Sequence, residues 1–115
     1  MLSPLQIHQE IEKEVDRLED LVAEIRLAGA SAGESESNFK SAFAKHRLTA
    51  RAEATGKITA DHVEDIATVA TQDLRLKALV ATNQLTVLRE ALRASEARLD
   101  ALRTLATSHR LAERG

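Results

Sequence analysis

The chain has 115 residues, the size of a single domain in the common range of roughly 100–150. Its apolar side chains are almost all aliphatic, with two Phe and neither Trp nor Tyr, so no core can rest on the roughly 150–250 Å² that each aromatic ring buries. Sixteen bases against eighteen acids leave a net charge of −2, and the absence of cysteine excludes disulfides and thiolate metal sites.

The first predicted element begins at Ser3-Pro4-Leu5-Gln6, where Ser3 caps, Pro4 takes the first helical position and Gln6 completes a capping-box spacing. Ile11, Val15, Leu18, Val22 and Ile25 then recur at 4-3-4-3, the spacing of a heptad seam, and Leu21 widens the stripe. The early acids, from Glu10 to Asp20, complement the helix N-terminus. Gly29 is expected to end this acidic helix at about residue 28, and "GASAGESES" reads as a loop over 29–36.

A second, shorter helix is predicted from about Glu36 to Thr55. Phe39, Phe43 and small residues form its inner face, and Lys40, Lys45, Arg47 and Arg51 its outer one. Gly56 supplies a stop, and Thr59 followed by Asp61 supplies the next N-cap and an acidic first turn. From there no Gly or Pro occurs before Gly115. With Leu85 at a heptad a position, Leu92 and Leu99 also fall at a, while Leu88, Ser95 and Leu102 fall at d, in one frame over nearly six heptads. At 1.5 Å per residue such a helix makes a rod of roughly 75 Å, and the one place considered for a break is near Thr82-Asn83.

The expected fold is therefore all-α. It has three helices, one of them very long, in a helical hairpin or coiled-coil subunit of a homo-oligomer, with residues 37–115 forming the hairpin of a single domain. Two short helices cannot cover so long a seam, which points to Ile11, Val15, Leu18, Val22, Ile25, Leu85, Leu88, Leu92, Leu99 and Leu102 joining copies of the chain. The charge is also polarised. Residues 1–36 carry nine acids and three bases, 37–73 five of each, and 74–115 four acids and eight bases. Such asymmetry suits either an anion-binding C-terminal half or acidic and basic helices that pair.

Catalytic machinery has no sequence signature here. None of His8, His46, His62 and His109 has a second histidine at i+3 or i+4, no Gly-rich phosphate loop appears, and no serine sits in a nucleophile motif. The acids around His62 read as helix-dipole complements rather than metal ligands. We expect no catalysis, cofactor or metal. No apolar run is long enough to span a bilayer and the N-terminus lacks a basic leader, so a soluble, cytoplasmic protein without membrane contact is expected.

What remains is a row of arginines beside the seam of the long helix. Heptad positions e and b carry Arg75, Arg89, Arg93, Arg103, Arg110 and Arg114, three threonines, and only the acids Glu96 and Asp100. Guanidinium and hydroxyl donors are the usual partners of a phosphate backbone. Against this stands mutual neutralisation of Arg93 with Glu96 and of Asp100 with Arg103 at i,i+3. Without aromatic platforms, any single-strand binding would run through the backbone and weaken with salt.

The order of features carries a resemblance. A Phe/Lys/Ala-rich helix, "NFKSAFAKHRLTARAEATGK", leads to the capped start "ITADHVEDIAT" and a long helix closing in "LREALRASEARLDALRTLATSHR". Over roughly residues 34–112 this resembles small helical proteins of tailed bacteriophages, among them the UvsY recombination-mediator family. The resemblance implies an all-helical subunit in a ring-like oligomer that binds single-stranded DNA and helps a recombinase displace single-strand-binding protein, in the cytoplasm of a host bacterium. It nominates Lys40, Lys45, Arg47, Arg51 and Lys57 of the second helix, with the arginine row of the third, as DNA contacts. The chain departs from that family in being net acidic and nearly free of aromatics. The alternative is a phage structural or interaction protein, a virion or assembly component whose coiled coil joins subunits or partners.

Overall fold

A computed structural model describes residues 2–114. It is all-helical: α1 spans Pro4–Glu53, α2 Ala60–Ala70 and α3 Gln72–Arg114, with no strand among the described residues. The expected starts hold. The backbone N–H of Ser3 donates to Gln6 Oε1 (2.8 Å) and that of Gln6 to Ser3 Oγ (3.2 Å), a complete capping box. Thr59 accepts from the His62 N–H at 3.1 Å and caps α2.

Two expected boundaries are corrected. The loop over 29–36 is helix, so the two predicted N-terminal helices are one, running to Glu53. Glycine and serine weaken a helix, by about 1 kcal/mol for Gly relative to Ala, and for that reason they read as a break. Their stretch nevertheless keeps the heptad: Ala28, Ala32, Ser35, Phe39 and Ala42 follow at 4-3-4-3, all buried or half-buried. The second correction lies in the long C-terminal helix, which is interrupted at Thr71 rather than near Thr82-Asn83. Thr71 is buried, its hydroxyl donates to the Ala67 carbonyl (2.7 Å), and its N–H is shared between the carbonyls of Ala67 and Thr68. The same hydroxyl bond at Thr49 and Thr107 leaves α1 and α3 unbroken; Thr71 differs in being buried and in leaving the helical backbone region, at φ −114° and ψ 15°.

Since neither Gly29 nor Gly33 has a positive φ, and a Cβ built on either meets nothing within 4 Å, helix propensity alone decides substitutions there. Gly29→Ala and Gly33→Ala should each stabilise the chain by about 0.5–1 kcal/mol, read from chemical denaturation. A glycine turning the chain at positive φ would instead make the same change destabilising.

The chain divides into two compact units. One comprises the residues up to Leu27 together with those from Thr86 on, and the other comprises Ala28–Leu85. The edge between the units falls inside α1, where the chain does not leave the helix.

In the first unit, the start of α1 pairs with the end of α3. Glu14 meets Ser95, Glu10 meets Arg98, and Ile7 and Ile11 share a hollow with Ala106 and His109; residue numbers fall on one helix as they rise on the other, so the pairing is antiparallel. The α1 stripe is Ile7, Ile11, Glu14, Leu18, Leu21 and Ile25, again at 4-3-4-3-4. Ile11, Leu18 and Ile25 sit on the expected seam. Val15 is half-buried on its flank, and Val22 is 48% exposed, its expected place taken by buried Leu21. On α3 the register is the expected one, with Leu88 and Leu92 half-buried and Leu99 and Leu102 buried. These side chains are covered, wholly or in part, within the chain itself, and in the first unit the seam closes a hairpin between the residues up to Leu27 and those from Thr86 on.

At the centre of that seam sits a carboxylate. Glu14 is 7% exposed, and burying a lone carboxylate costs several kcal/mol. Both of its oxygens are satisfied: Ser95 Oγ donates to Oε2 at 2.5 Å, and Arg98 Nε donates to Oε1 at 2.9 Å. Since only one alignment brings Ser95 and Arg98 to Glu14, the cluster fixes the register of the two helices. Ser95→Ala leaves Oε2 without its donor and should cost about 1–3 kcal/mol, measured by urea unfolding.

The second unit is built from the rest of α1, α2 and the start of α3, and buries Ala32, Ala50, Val63, Ala67 and Ala78, with Ser35 and Thr71. The residues 54–59 between α1 and α2 are non-helical, as the Gly56 stop implies. Phe39 and Phe43 are half-buried with ring centroids 6.0 Å apart, and the Arg47 guanidinium lies 5.9 Å from the Phe43 centroid. Leu85, at the end of this unit, is half-buried.

Candidate nucleic-acid interface

The a/d stripe of α3 has two flanks, and the hairpin treats them differently. Arg98 takes the g position on one flank. Arg89, Arg103 and Arg110 take e positions on the other, with Arg93 at the adjoining b position. On the g flank the positive charge is used: Arg98 binds Glu14 and also Glu10, whose Oε2 lies 3.4 Å from Nη2. The pairing of acidic and basic helices suggested by the charge polarity is thus present, within one chain and through an arginine that the row did not include.

On the e flank the charge is unused. Arg89, Arg93, Arg103 and Arg110 are all exposed, and no carboxylate of the described residues comes within 4.0 Å of any of them. The i,i+3 neutralisation of Arg93 by Glu96 and of Arg103 by Asp100 does not form. Exposed pairs of that kind stabilise by only about 0.2–0.5 kcal/mol, little enough for side-chain entropy to cancel. The hydroxyls contribute less than their number suggested, since Thr107 Oγ1 donates to the Arg103 carbonyl at 3.0 Å. Arg110 also reaches a hollow of about 330 Å³ at the open end of the first unit, rimmed by Pro4, Ile7, His8 and His109.

The remaining candidate cations belong to the second unit. Arg75, Lys45, Arg51 and Lys57 are exposed without an ion pair among the described residues. Lys40 is 3.4 Å from Glu36, one turn before it on α1. Arg47 is half-buried over Phe43, with its Nε buried and without a hydrogen-bond partner. The ten candidates therefore form two sets, one in each unit; the four on α3 of the first unit are all exposed on one flank, with Glu96 and Asp100 between Arg93 and Arg103.

Such a row suits contact with a phosphate backbone, because each guanidinium offers planar paired donors to phosphate oxygens without first breaking an ion pair. It offers nothing to read a base sequence: the two phenylalanines are half-buried in the other unit. Among the described residues no group of three or more His, Asp or Glu side chains converges, those around His62 included. No helix is long and apolar enough to cross a membrane among those residues. Comparison with protein-family models, with curated proteins and with solved structures gives no match.

Proposed function

We propose that this chain is a non-enzymatic, self-associating helical scaffold that holds single-stranded DNA by its backbone along Arg89, Arg93, Arg103 and Arg110. The supporting observation is the asymmetry of the hairpin, which commits Arg98 to Glu10 and Glu14 on one flank and leaves four arginines uncommitted on the other. The resemblance to UvsY-type mediators extends the reading to a role: presenting DNA to a recombinase in place of single-strand-binding protein, in the cytoplasm. The second reading, a phage virion or assembly component, draws support from the exposed apolar side chains of the second unit, among them Leu48, Val69 and Leu76.

Fluorescence anisotropy with a labelled oligo-dT at two salt concentrations tests the DNA reading. Four phosphate contacts on a single strand give a log–log salt slope of about −3, hence about fifty-fold weaker binding at 200 mM than at 50 mM salt. No binding at the lower salt rejects the DNA reading and leaves the assembly component.

A further inference from the structure

The second unit carries two faces of opposite charge, each with an exposed apolar side chain at its centre. On α1, residues 37–52 contain four bases and no acid; from α2 into α3, residues 60–74 contain four acids and no base. Within the first stretch, Ala44, Arg47, Leu48 and Arg51 occupy one helical face at i, i+3, i+4 and i+7 around a shallow hollow. Within the second, Asp65, Ile66, Val69 and Ala70 line another. Leu48 is 70% exposed and Val69 67%, while Ile66 at 38% is also open to solvent.

Neither face is ion-paired inside the chain, although Arg47 is half-buried over the Phe43 ring. No carboxylate of the described residues lies within 4.0 Å of Arg47 or Arg51, and no cation within 4.0 Å of Asp61 or Asp65. Each presents an apolar centre with charges of one sign beside it, the arrangement by which one helix recognises another: apolar side chains interlock and the flanking charges select the partner. The occupant that satisfies both faces at once is a second copy of this chain.

We infer that the basic face of α1, centred on Leu48 between Arg47 and Arg51, docks onto the acidic face of α2, centred on Ile66 and Val69 beside Asp65, in a neighbouring copy. This rests on the self-association in the proposed function and supplies its surface. The two faces differ, so the contact is heterologous: it repeats head to tail and closes into a ring or runs on as a filament. It also withdraws Arg47 and Arg51 from the candidate DNA contacts and leaves the α3 row as the nucleic-acid face.

Charge reversal tests the pairing, with mass read by light scattering and helix content by circular dichroism. Arg47→Glu with Arg51→Glu makes both faces acidic, and Asp61→Arg with Asp65→Arg makes both basic. Each variant alone should fall to the mass of one chain with its helix content kept. Mixed one to one, they should reassemble, because each then meets its opposite. Variants that keep the wild-type mass, or that stay dissociated when mixed, overturn the inference while self-association stands. A wild-type protein that is itself a monomer rejects the self-association as well. If the Arg47/Arg51 variant keeps its assembly but loses oligo-dT binding, the basic face is a nucleic-acid contact and the inference fails.

Discussion

Reversing Arg89, Arg93, Arg103 and Arg110 to glutamate should abolish oligo-dT binding at 50 mM salt while leaving the helical fold in place. Each of the four is exposed and makes no ion pair among the described residues, so their removal breaks no ion pair. The electrostatic loss is large, because the row changes from four charges that attract phosphate to four that repel it. Single reversals should each lower affinity and flatten the salt slope by about 0.7, with no dependence on base sequence. Retained affinity in the quadruple variant would move the DNA site elsewhere. Loss of helix content would mean that the arginines serve the fold.

The largest effect on stability is expected on the seam that this row flanks. Leu99 is 6% exposed and Leu102 8%, and truncating a buried leucine to alanine costs about 2–5 kcal/mol through lost burial and the cavity left behind. For a chain of this length each kcal/mol shifts Tm by about 4–8 °C, so Leu99→Ala should lower Tm by at least about 8 °C. A comparison on α1 tests the register there. Leu21→Ala should fall in the same class, because Leu21 is buried at 8% exposure. Val22→Ala should change stability by less than about 0.5 kcal/mol, since Val22 is 48% exposed. The reverse ranking would restore the stripe through Val15 and Val22.

The contrast between α3 and α1 shows what was legible in the sequence. The α3 seam could be read in full, as leucines at a and d leave a single frame. On α1 the two possible stripes share Ile11, Leu18 and Ile25 and differ only in the residues between them. An acid at position 14 argued against the stripe that the structure uses. Glu14 belongs there because Ser95 and Arg98, 81 and 84 residues further along, complete its coordination, a pairing that no local pattern contains. The Gly/Ser segment misled for a related reason. Helix propensity spoke for a loop, whereas Ala28, Ala32 and Ser35 continued the heptad with side chains too small to count as a hydrophobic stripe. The kink at Thr71 carries no sequence signal at all, since a buried threonine bonding back to Ala67 looks the same in sequence as any other.

The candidate site was legible in part. The arginine row follows from the α3 register alone. Its freedom from ion pairs does not, because Glu96 and Asp100 stood at distances in sequence that allow pairing. Arg98 was missed, and the heptad could have marked it, since it flanks the seam on the side where an antiparallel partner presents Glu10. The acidic and basic faces of the second unit were each visible as charge clusters, read as a helix-dipole complement and a DNA contact. Their exposed apolar centres, and the lack of any ion pair between them, are what the inferred contact between copies is drawn from.

Every one of these expectations starts from α1 and α3 of one chain closing on each other. The protein has no cysteine, so Arg17→Cys and Ala94→Cys supply the only two thiols for a short bis-maleimide linker. Both are exposed and rim one hollow with Glu14 and Ser95, and neither takes part in the bonds to Glu14. On a denaturing gel, the linked product of a hairpin runs as a single chain at every protein concentration, and digestion yields one peptide pair joining α1 to α3. A product of two linked chains, growing with concentration, would show that the helices pair between copies and would contradict the hairpin.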